Sequence, residues 1–238
     1  MTALFSLEQV GVQWPRSARP ALQQLSLQIR AGERVALIGA NGCGKSTLLR
    51  LLHGLQPASQ GQLQLPNGRL RQAMVFQRPY LLRMSALANV ALGLWLGGLA
   101  WRPARERALG ALQRVGMAAQ ASHPAHKLSA GQQQRVAMAR AWALAPTVLF
   151  LDEPTSSLDP HAKREVEHLI EQFTQQDPAM TLVFASHNLG QVKRLASRVL
   201  YLEQGRLLAD LPVQDFFGGT LLQQHYAAAH QFVKGGLP

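Results

Sequence analysis

Gly39-Ala40-Asn41-Gly42-Cys43-Gly44-Lys45-Ser46-Thr47 has the residue types and spacing of a grip for phosphate. Its glycines let the backbone curl until the N–H groups point inward at anionic oxygens, and a following helix adds the partial positive charge of its N-terminus. The pattern G-x-x-x-x-G-K-[ST] is that of a nucleotide phosphate loop (P-loop, Walker A). Lys45 is expected to reach the β- and γ-phosphates of ATP, and Ser46 to offer its hydroxyl to Mg²⁺. Cys43 has two readings: a thiol activated by Lys45 and the helix end, or a buried and inert one.

Two further constellations carry chemistry. Leu149-Phe150-Leu151-Asp152-Glu153-Pro154 places paired carboxylates at the end of an apolar run. Beside a phosphate loop, Asp152 is expected to help hold Mg²⁺, and Glu153 to orient or deprotonate an attacking water. Leu128-Ser129-Ala130-Gly131-Gln132-Gln133-Gln134-Arg135 opens a helix with Ser129 as its N-cap. That start is a second anion site, although a capped helix is by itself a common structural feature.

The elements needed to position these groups are visible in the pattern. Arg34–Ile38 and Thr147–Leu151 read as buried strands, and Met180–Ala185 as another. Thr47–Leu55 reads as a helix stopped near Gly54, with Pro57 beyond it. The alternation of Leu22, Leu25, Leu27 and Ile29 predicts a small antiparallel sheet in the first thirty residues. Strands are expected at Gly61–Leu65 and Ala73–Phe76, with a turn at Pro66-Asn67-Gly68 between them. Arg102–Met117 predicts a helix burying Ala108, Leu109, Leu112 and Val115. Pro160–Phe173 predicts another helix, and Arg198–Asp210 a hairpin around Gln204-Gly205. The fold class is α/β: a phosphate-loop NTPase core with a parallel sheet, an N-terminal antiparallel β subdomain and an inserted helical subdomain.

With 238 residues and 47% hydrophobic content the chain can build a full core. One cysteine excludes a disulfide framework and a Cys-rich zinc site, and fits a reducing compartment. No secretory signal pattern is expected at the N-terminus. The net charge of +11 would suit nucleic acid or anionic lipid, but the arginines are scattered and no RNA-binding aromatic signature accompanies them. Met84–Trp101 carries no charge and reaches the length of a membrane span. Ser85, Asn89 and Gly97-Gly98 interrupt it, and site residues flank it on both sides, so it reads as a buried or partner-facing helix.

Leu128-Ser129-Ala130-Gly131-Gln132 resembles the signature of ATP-binding-cassette (ABC) transporter nucleotide-binding subunits, usually Leu-Ser-Gly-Gly-Gln. Ala130 departs from it, a change tolerated if φ is negative there. The resemblance covers nearly the whole chain, as a single ABC ATPase domain with a core and β subdomain over 1–79 and 146–238 and a helical subdomain near 80–145. It implies further roles in order along the chain. Trp14 would stack on adenine, with an edge-strand core tryptophan as the alternative. Gln77 would contact Mg²⁺ and water and link the helical lobe to the core. Asp159, in Ser156-Ser157-Leu158-Asp159, would bridge to a partner copy. His187, after Ser186, would contact the γ-phosphate. Gly39, Asn41, Gly42, Cys43, Gly44, Lys45, Ser46 and Thr47 would bind ATP from one copy, and Ser129, Ala130, Gly131 and Gln132 from the other.

The same resemblance implies ATP hydrolysis that powers solute transport by a head-to-tail dimer. It would act on separately encoded permease subunits, with a solute-binding protein, peripheral to the cytoplasmic face of the inner membrane. Tyr80, Leu81, Leu82 and Met84 would contact the permease. The wording Val75-Phe76-Gln77-Arg78-Pro79, Leu81-Leu82-Arg83, Ala137–Leu144 and Ser186–Gln191 is most similar to ATPases of oxyanion importers, tungstate ones in particular. The alternatives are a soluble ABC ATPase acting on nucleic acid or ribosomes, and the ATPase of an exporter. No nucleic-acid partner is expected.

Overall fold

A computed structural model describes residues 3–15, 17–66, 70–218 and 220–236. The chain divides into two compact units. The first comprises Met1–Arg69, Phe150–Asp152 and Ala179–Pro238, and the second Leu70–Leu149 and Glu153–Pro178. In chain order, the first unit opens with β1 (Ala3–Val12), β2 (Leu22–Arg30), β3 (Arg34–Ile38), α1 (Lys45–His53) and β4 (Gln60–Gln64). The second holds β5 (Gln72–Val75), α2 (Ala86–Leu96), α3 (Trp101–Arg114) and α4 (Ala130–Ala143). β6 (Val148–Asp152) passes from the second unit to the first, and α5 (Pro160–Gln176) belongs to the second. The first unit then resumes with β7 (Thr181–Ala185), α6 (Leu189–Leu195), β8 (Arg198–Glu203), β9 (Arg206–Pro212), α7 (Val213–Gly218), α8 (Thr220–His225) and α9 (Ala227–Gly236).

In the first unit, alternating apolar residues make the antiparallel sheet β2-β1-β4, with Phe5 opposite Ile29 and Leu7 opposite Leu27. The continuous apolar runs behave differently. β3 lies parallel to both β7 and β8, and Val35 through Ile38 have no exposed surface. Such strands are covered on both faces, which is why they show no alternation. Within this unit the strand order is β6-β7-β3-β8-β9, β9 being antiparallel to β8. The β8–β9 turn uses Gln204 (φ 48°) and Gly205 (φ 80°), the pair of left-handed residues a tight hairpin of this hand needs. α1 stops at Gly54, whose φ of 84° turns its N–H back onto the carbonyls of Arg50 and Leu51.

In the second unit, β5 neighbours β6, and Thr147 N–H donates to the Arg71 carbonyl at 2.8 Å. α3 buries Ala104, Ala108, Ala111 and Leu112. Leu109, expected on the buried face, is 38% exposed, because it lies one residue, about 100° around the helix, from Ala108. The helix ends at Arg114, and Gly116 (φ 68°) turns the chain before Met117. The uncharged Met84–Trp101 run is broken at Gly97-Gly98 into the end of α2 and the start of α3. Among the described residues, no helix is long and apolar enough to cross a membrane. The helical segment near 80–145 falls inside this unit, which also takes in β5 and α5. The turn placed at Pro66-Asn67-Gly68 lies, beyond Pro66, outside the described residues, as do Arg16 and Arg69.

Candidate functional site

The phosphate loop runs from the end of β3 to α1 in the first unit, and each glycine has its own physical reason. Gly39 has φ 141°, and a Cβ there would lie 2.1 Å from the Leu202 carbonyl oxygen of β8. Gly44 has φ 113°, and its Cβ would lie 2.7 Å from the Ala21 carbonyl oxygen. Gly42 has open space around it, so its left-handed φ of 77° is the constraint. From outside the curl, Gly205 N–H donates to the Cys43 carbonyl at 2.9 Å, holding that oxygen outward.

Lys45 is 5% exposed, and its ammonium donates to the carbonyls of Gly39 at 2.9 Å and Ala40 at 3.1 Å. The loop therefore closes over its own cation. Cys43 Sγ lies 4.0 Å from Lys45 Nζ and is 4% exposed, a burial that works against attack on bulky reagents. Asn41 and Gly42 are exposed at the loop's outer bend, while Thr47 is buried at the start of α1.

Ser46 Oγ donates to Asp152 Oδ1 at 2.8 Å, across 106 residues of sequence. Asp152 is 5% exposed at the end of β6. These two hard oxygen donors fit Mg²⁺, which takes few protein ligands and completes its shell with water and phosphate oxygens. β7 ends beside β3, with Ala185 opposite Leu37, so Ser186-His187 and the phosphate loop leave the same carboxyl edge of the parallel strands. Crevices at that edge are where open α/β sheets bind ligands. His187 is exposed there, and Trp14 is half-buried just beyond β1.

The second unit brings together Gln77, Ser156 and Glu153. Gln77 Nε2 donates to Ser156 Oγ at 3.0 Å, and that hydroxyl donates to the Glu153 carbonyl at 3.1 Å. Glu153 has φ 46°, a left-handed backbone unusual for a side chain of its size and of the kind held at functional turns. Ser129 caps α4, and the cap is reciprocal. Its hydroxyl accepts from Gln132 N–H at 3.3 Å, while Gln132 Oε1 accepts from Ser129 N–H at 3.0 Å. Ala130 is helical and absent from the positive-φ residues, so the departure from glycine costs no strain. At Gly131 a Cβ would stand 2.6 Å from Ala162 Cβ of α5, so the glycine is required by helix contact. Asp159 caps α5, accepting from His161 and Ala162 N–H at 3.0 and 3.1 Å. The Ala162 bond is the main reason its carboxyl sits below the ordinary range.

The buried, bridging roles of other polar residues that shape these segments escaped the sequence reading. Gln134 is 1% exposed and donates to the Phe76 carbonyl at 3.3 Å, fixing α4 to the residue before Gln77. Asn89 is buried in α2; it accepts from Leu82 N–H and donates to the carbonyls of Leu82, Met84 and Ser85. Arg140 donates to the Tyr80 carbonyl at 3.0 Å. The signal for Gln134 and Asn89 was their place on the apolar face of a helix, where an amide must find a partner. Tyr80 and Leu82 themselves are 79% and 50% exposed.

The sequence pattern of the ABC transporter family matches residues 22–156. The nickel import ATP-binding protein NikO of Rhodobacter capsulatus is 39% identical over 243 residues, which cover 93% of this chain and 94% of that protein. The aliphatic sulfonates import ATP-binding protein SsuB of Yersinia pestis is 41% identical over 217 residues, covering 87% and 76%. Among solved structures, the dimeric post-hydrolysis state of the ATP-binding cassette MJ0796 bound to ADP and Pi superposes with a TM-score of 0.79. The identity is 29%, over 88% of this chain and 98% of that one. CbiO1 from Clostridium perfringens, part of the ABC transporter complex cbiONQ, gives 0.78 at 26% identity, over 98% and 100%. ABC ATPases bind ATP with Mg²⁺, the pair of ligands for which Lys45, Ser46 and Asp152 are disposed. Matched over most of its length by that pattern and by relatives almost end to end, the chain belongs to the ABC transporter family, as an ATP-binding subunit that hydrolyses ATP.

Proposed function

We propose that the chain powers solute import as a nucleotide-sandwich dimer seated on separately encoded permease subunits at the cytoplasmic face of the inner membrane. The observation that carries the ATPase half of this reading is the part-buried Ser46–Asp152 bond beside a phosphate loop closed around Lys45. Import is supported by relatives whose names specify nickel, aliphatic sulfonates, methionine and glutamate/aspartate import.

In this reading Gly39–Thr47 of one copy holds the phosphates and Trp14 stacks on adenine. Ser129, Ala130, Gly131 and Gln132 of the second copy close on the γ-phosphate, and Asp159 bridges the copies. Glu153 orients water for in-line attack, Gln77 senses that water, and His187 contacts the γ-phosphate. Ser46, Asp152 and Gln77 would hold Mg²⁺, which neutralises phosphate charge. ATP favours the closed dimer and ADP the open one, and this difference in binding drives the cycle. Exposed Tyr80 and Leu82, with Leu81 and Met84, are the contacts through which the permease would feel it.

The finer reading of an inorganic oxyanion, tungstate-like solute, delivered by a solute-binding protein, rests on the local wording around Gln77, Ala137–Leu144 and His187. Co-expression with the permease and binding-protein partners, followed by uptake measurements, tests both levels. Tungstate, molybdate, sulfonates, nickel and methionine form the panel. ATP-dependent uptake of an oxyanion supports the full reading, and uptake of another solute corrects the solute alone. ATPase stimulation by polynucleotide without any uptake would favour the nucleic-acid alternative, and ATP-driven efflux the exporter.

A further inference from the structure

We propose that Gln191 is a positioning residue for His187, acting through the hydroxyl of Ser186. The inference rests on the reading that His187 contacts the γ-phosphate. His187 is exposed, yet both of its neighbours are held. Ser186 is 4% exposed, and its Oγ accepts the N–H of Asn188 at 3.0 Å, so one hydrogen bond bridges across His187. Because the Asn188 N–H is itself a donor, the hydroxyl hydrogen must find its acceptor elsewhere. It goes to Gln191 Oε1 at 2.6 Å. Asn188 completes the bracket as the N-cap of α6, its Oδ1 accepting from Gly190 and Gln191 N–H at 3.1 and 3.3 Å. Ser186 N–H donates to the Leu37 carbonyl at 3.3 Å, two residues before Gly39, so the bracket is referenced to the strand that delivers the phosphate loop.

Gln191 is an unusual choice for packing alone. It is 1% exposed, and its Nε2 has no hydrogen-bond partner among the described residues. Burying an unpartnered amide N–H₂ is unfavourable, and an aliphatic side chain would fill the space without that penalty. What the amide contributes is Oε1, the acceptor that orients Ser186 Oγ and with it the backbone on either side of His187. Loss of that acceptor lets the Ser186 hydroxyl rotate and the His187 bracket loosen. A positional error of this kind acts on turnover more than on nucleotide affinity, which Lys45 and the loop N–H groups supply.

Steady-state ATPase and MgATP binding of the full chain test this. Gln191→Met keeps the volume and removes the acceptor, and Gln191→Glu keeps the acceptor and removes the unpartnered N–H₂. We expect Gln191→Met to lower kcat about tenfold or more, with KM for MgATP within about twofold, and Gln191→Glu to recover most of the loss. Ser186→Ala breaks the same bond from its other end and should match Gln191→Met, which keeps the test intact if one variant does not fold. Combining Gln191→Met with His187→Ala should be no slower than His187→Ala alone. Parental kcat in Gln191→Met, multiplying losses in the double variant, or Gln191→Glu as slow as Gln191→Met would overturn the inference. Parental turnover in His187→Ala would instead overturn the role of His187 on which it stands.

Discussion

Gly39→Ala isolates the steric demand that shapes the phosphate loop. At φ 141° an alanine enters backbone territory that is almost exclusive to glycine, at about 1–3 kcal/mol. Its Cβ would also sit 2.1 Å from the Leu202 carbonyl oxygen and 2.8 Å from Cys43 Sγ. Neither backbone nor sulfur can yield without moving the loop or β8, which adds about 1–3 kcal/mol of overpacking. Together these take about 2–6 kcal/mol from a stability of order 5–15 kcal/mol. Gly42→Ala is the internal control. It has a left-handed φ of 77° but no atom within 4 Å, so only a backbone penalty of about 1–2 kcal/mol applies. Guanidinium titrations at constant m-value should show Gly39→Ala less stable than Gly42→Ala by at least about 1 kcal/mol. MgATP affinity should fall further in Gly39→Ala, whose carbonyl accepts from Lys45. Equal stability of the two variants would refute the claim that packing against β8 fixes the loop.

Ser129→Ala removes the hydroxyl half of the α4 capping box, leaves the bond from the residue 129 N–H to Gln132 Oε1, and should cost about 1 kcal/mol of stability. In the composite-site reading it should also abolish most turnover while MgATP still binds to the chain's own loop, as parallel ATPase and equilibrium-binding assays would show. Acid should weaken the first unit through His53, whose ring packs edge-on to Phe150 at 5.7 Å and whose Nδ1 has no hydrogen-bond partner among the described residues. Burial lowers its pKa below the ordinary 6.5, so the unfolded chain binds a proton that the folded chain refuses. Its contribution is complete above about pH 6.5 and declines as pH falls toward the lowered folded value. Urea midpoints measured across that window should slope less steeply in His53→Leu than in the parent.

The parts of the site legible in the sequence are those made by a few consecutive residues. The spacing of Gly39, Gly42, Gly44, Lys45 and Ser46 encodes the loop because its curl is local, and Ser129 with Gln132 encodes a helix start for the same reason. The apolar runs within Arg34–Ile38 and Thr147–Leu151 announce buried strands because both of their faces are covered. Order in space is another matter. The pairing of Ser46 with Asp152, 106 residues away, follows from strands β6, β7 and β3 standing side by side, which no local pattern contains. The partners of buried amides were illegible for a related reason: which carbonyl or hydroxyl Gln134, Asn89 and Gln191 reach is set by packing between distant segments or turns. Leu109 erred in the opposite sense, since an apolar residue at the border of a helix face can point either way. Of the helices after β9, α9 is tied to the sheet by packing that no local pattern contains, Phe232 against Tyr201 at 5.6 Å.

The central claim is that one chain supplies half of an ATP site and a second copy completes it. Glu153→Gln keeps a side chain of the same size at the turn and removes the carboxylate proposed to orient water, so it should bind MgATP without turning it over. Light scattering coupled to size exclusion, with saturating MgATP, measures the consequence directly. The account predicts a particle of about twice the 26.0 kDa protomer that dissociates when ADP replaces ATP. A 26.0 kDa monomer under both nucleotides, with MgATP bound, would contradict it.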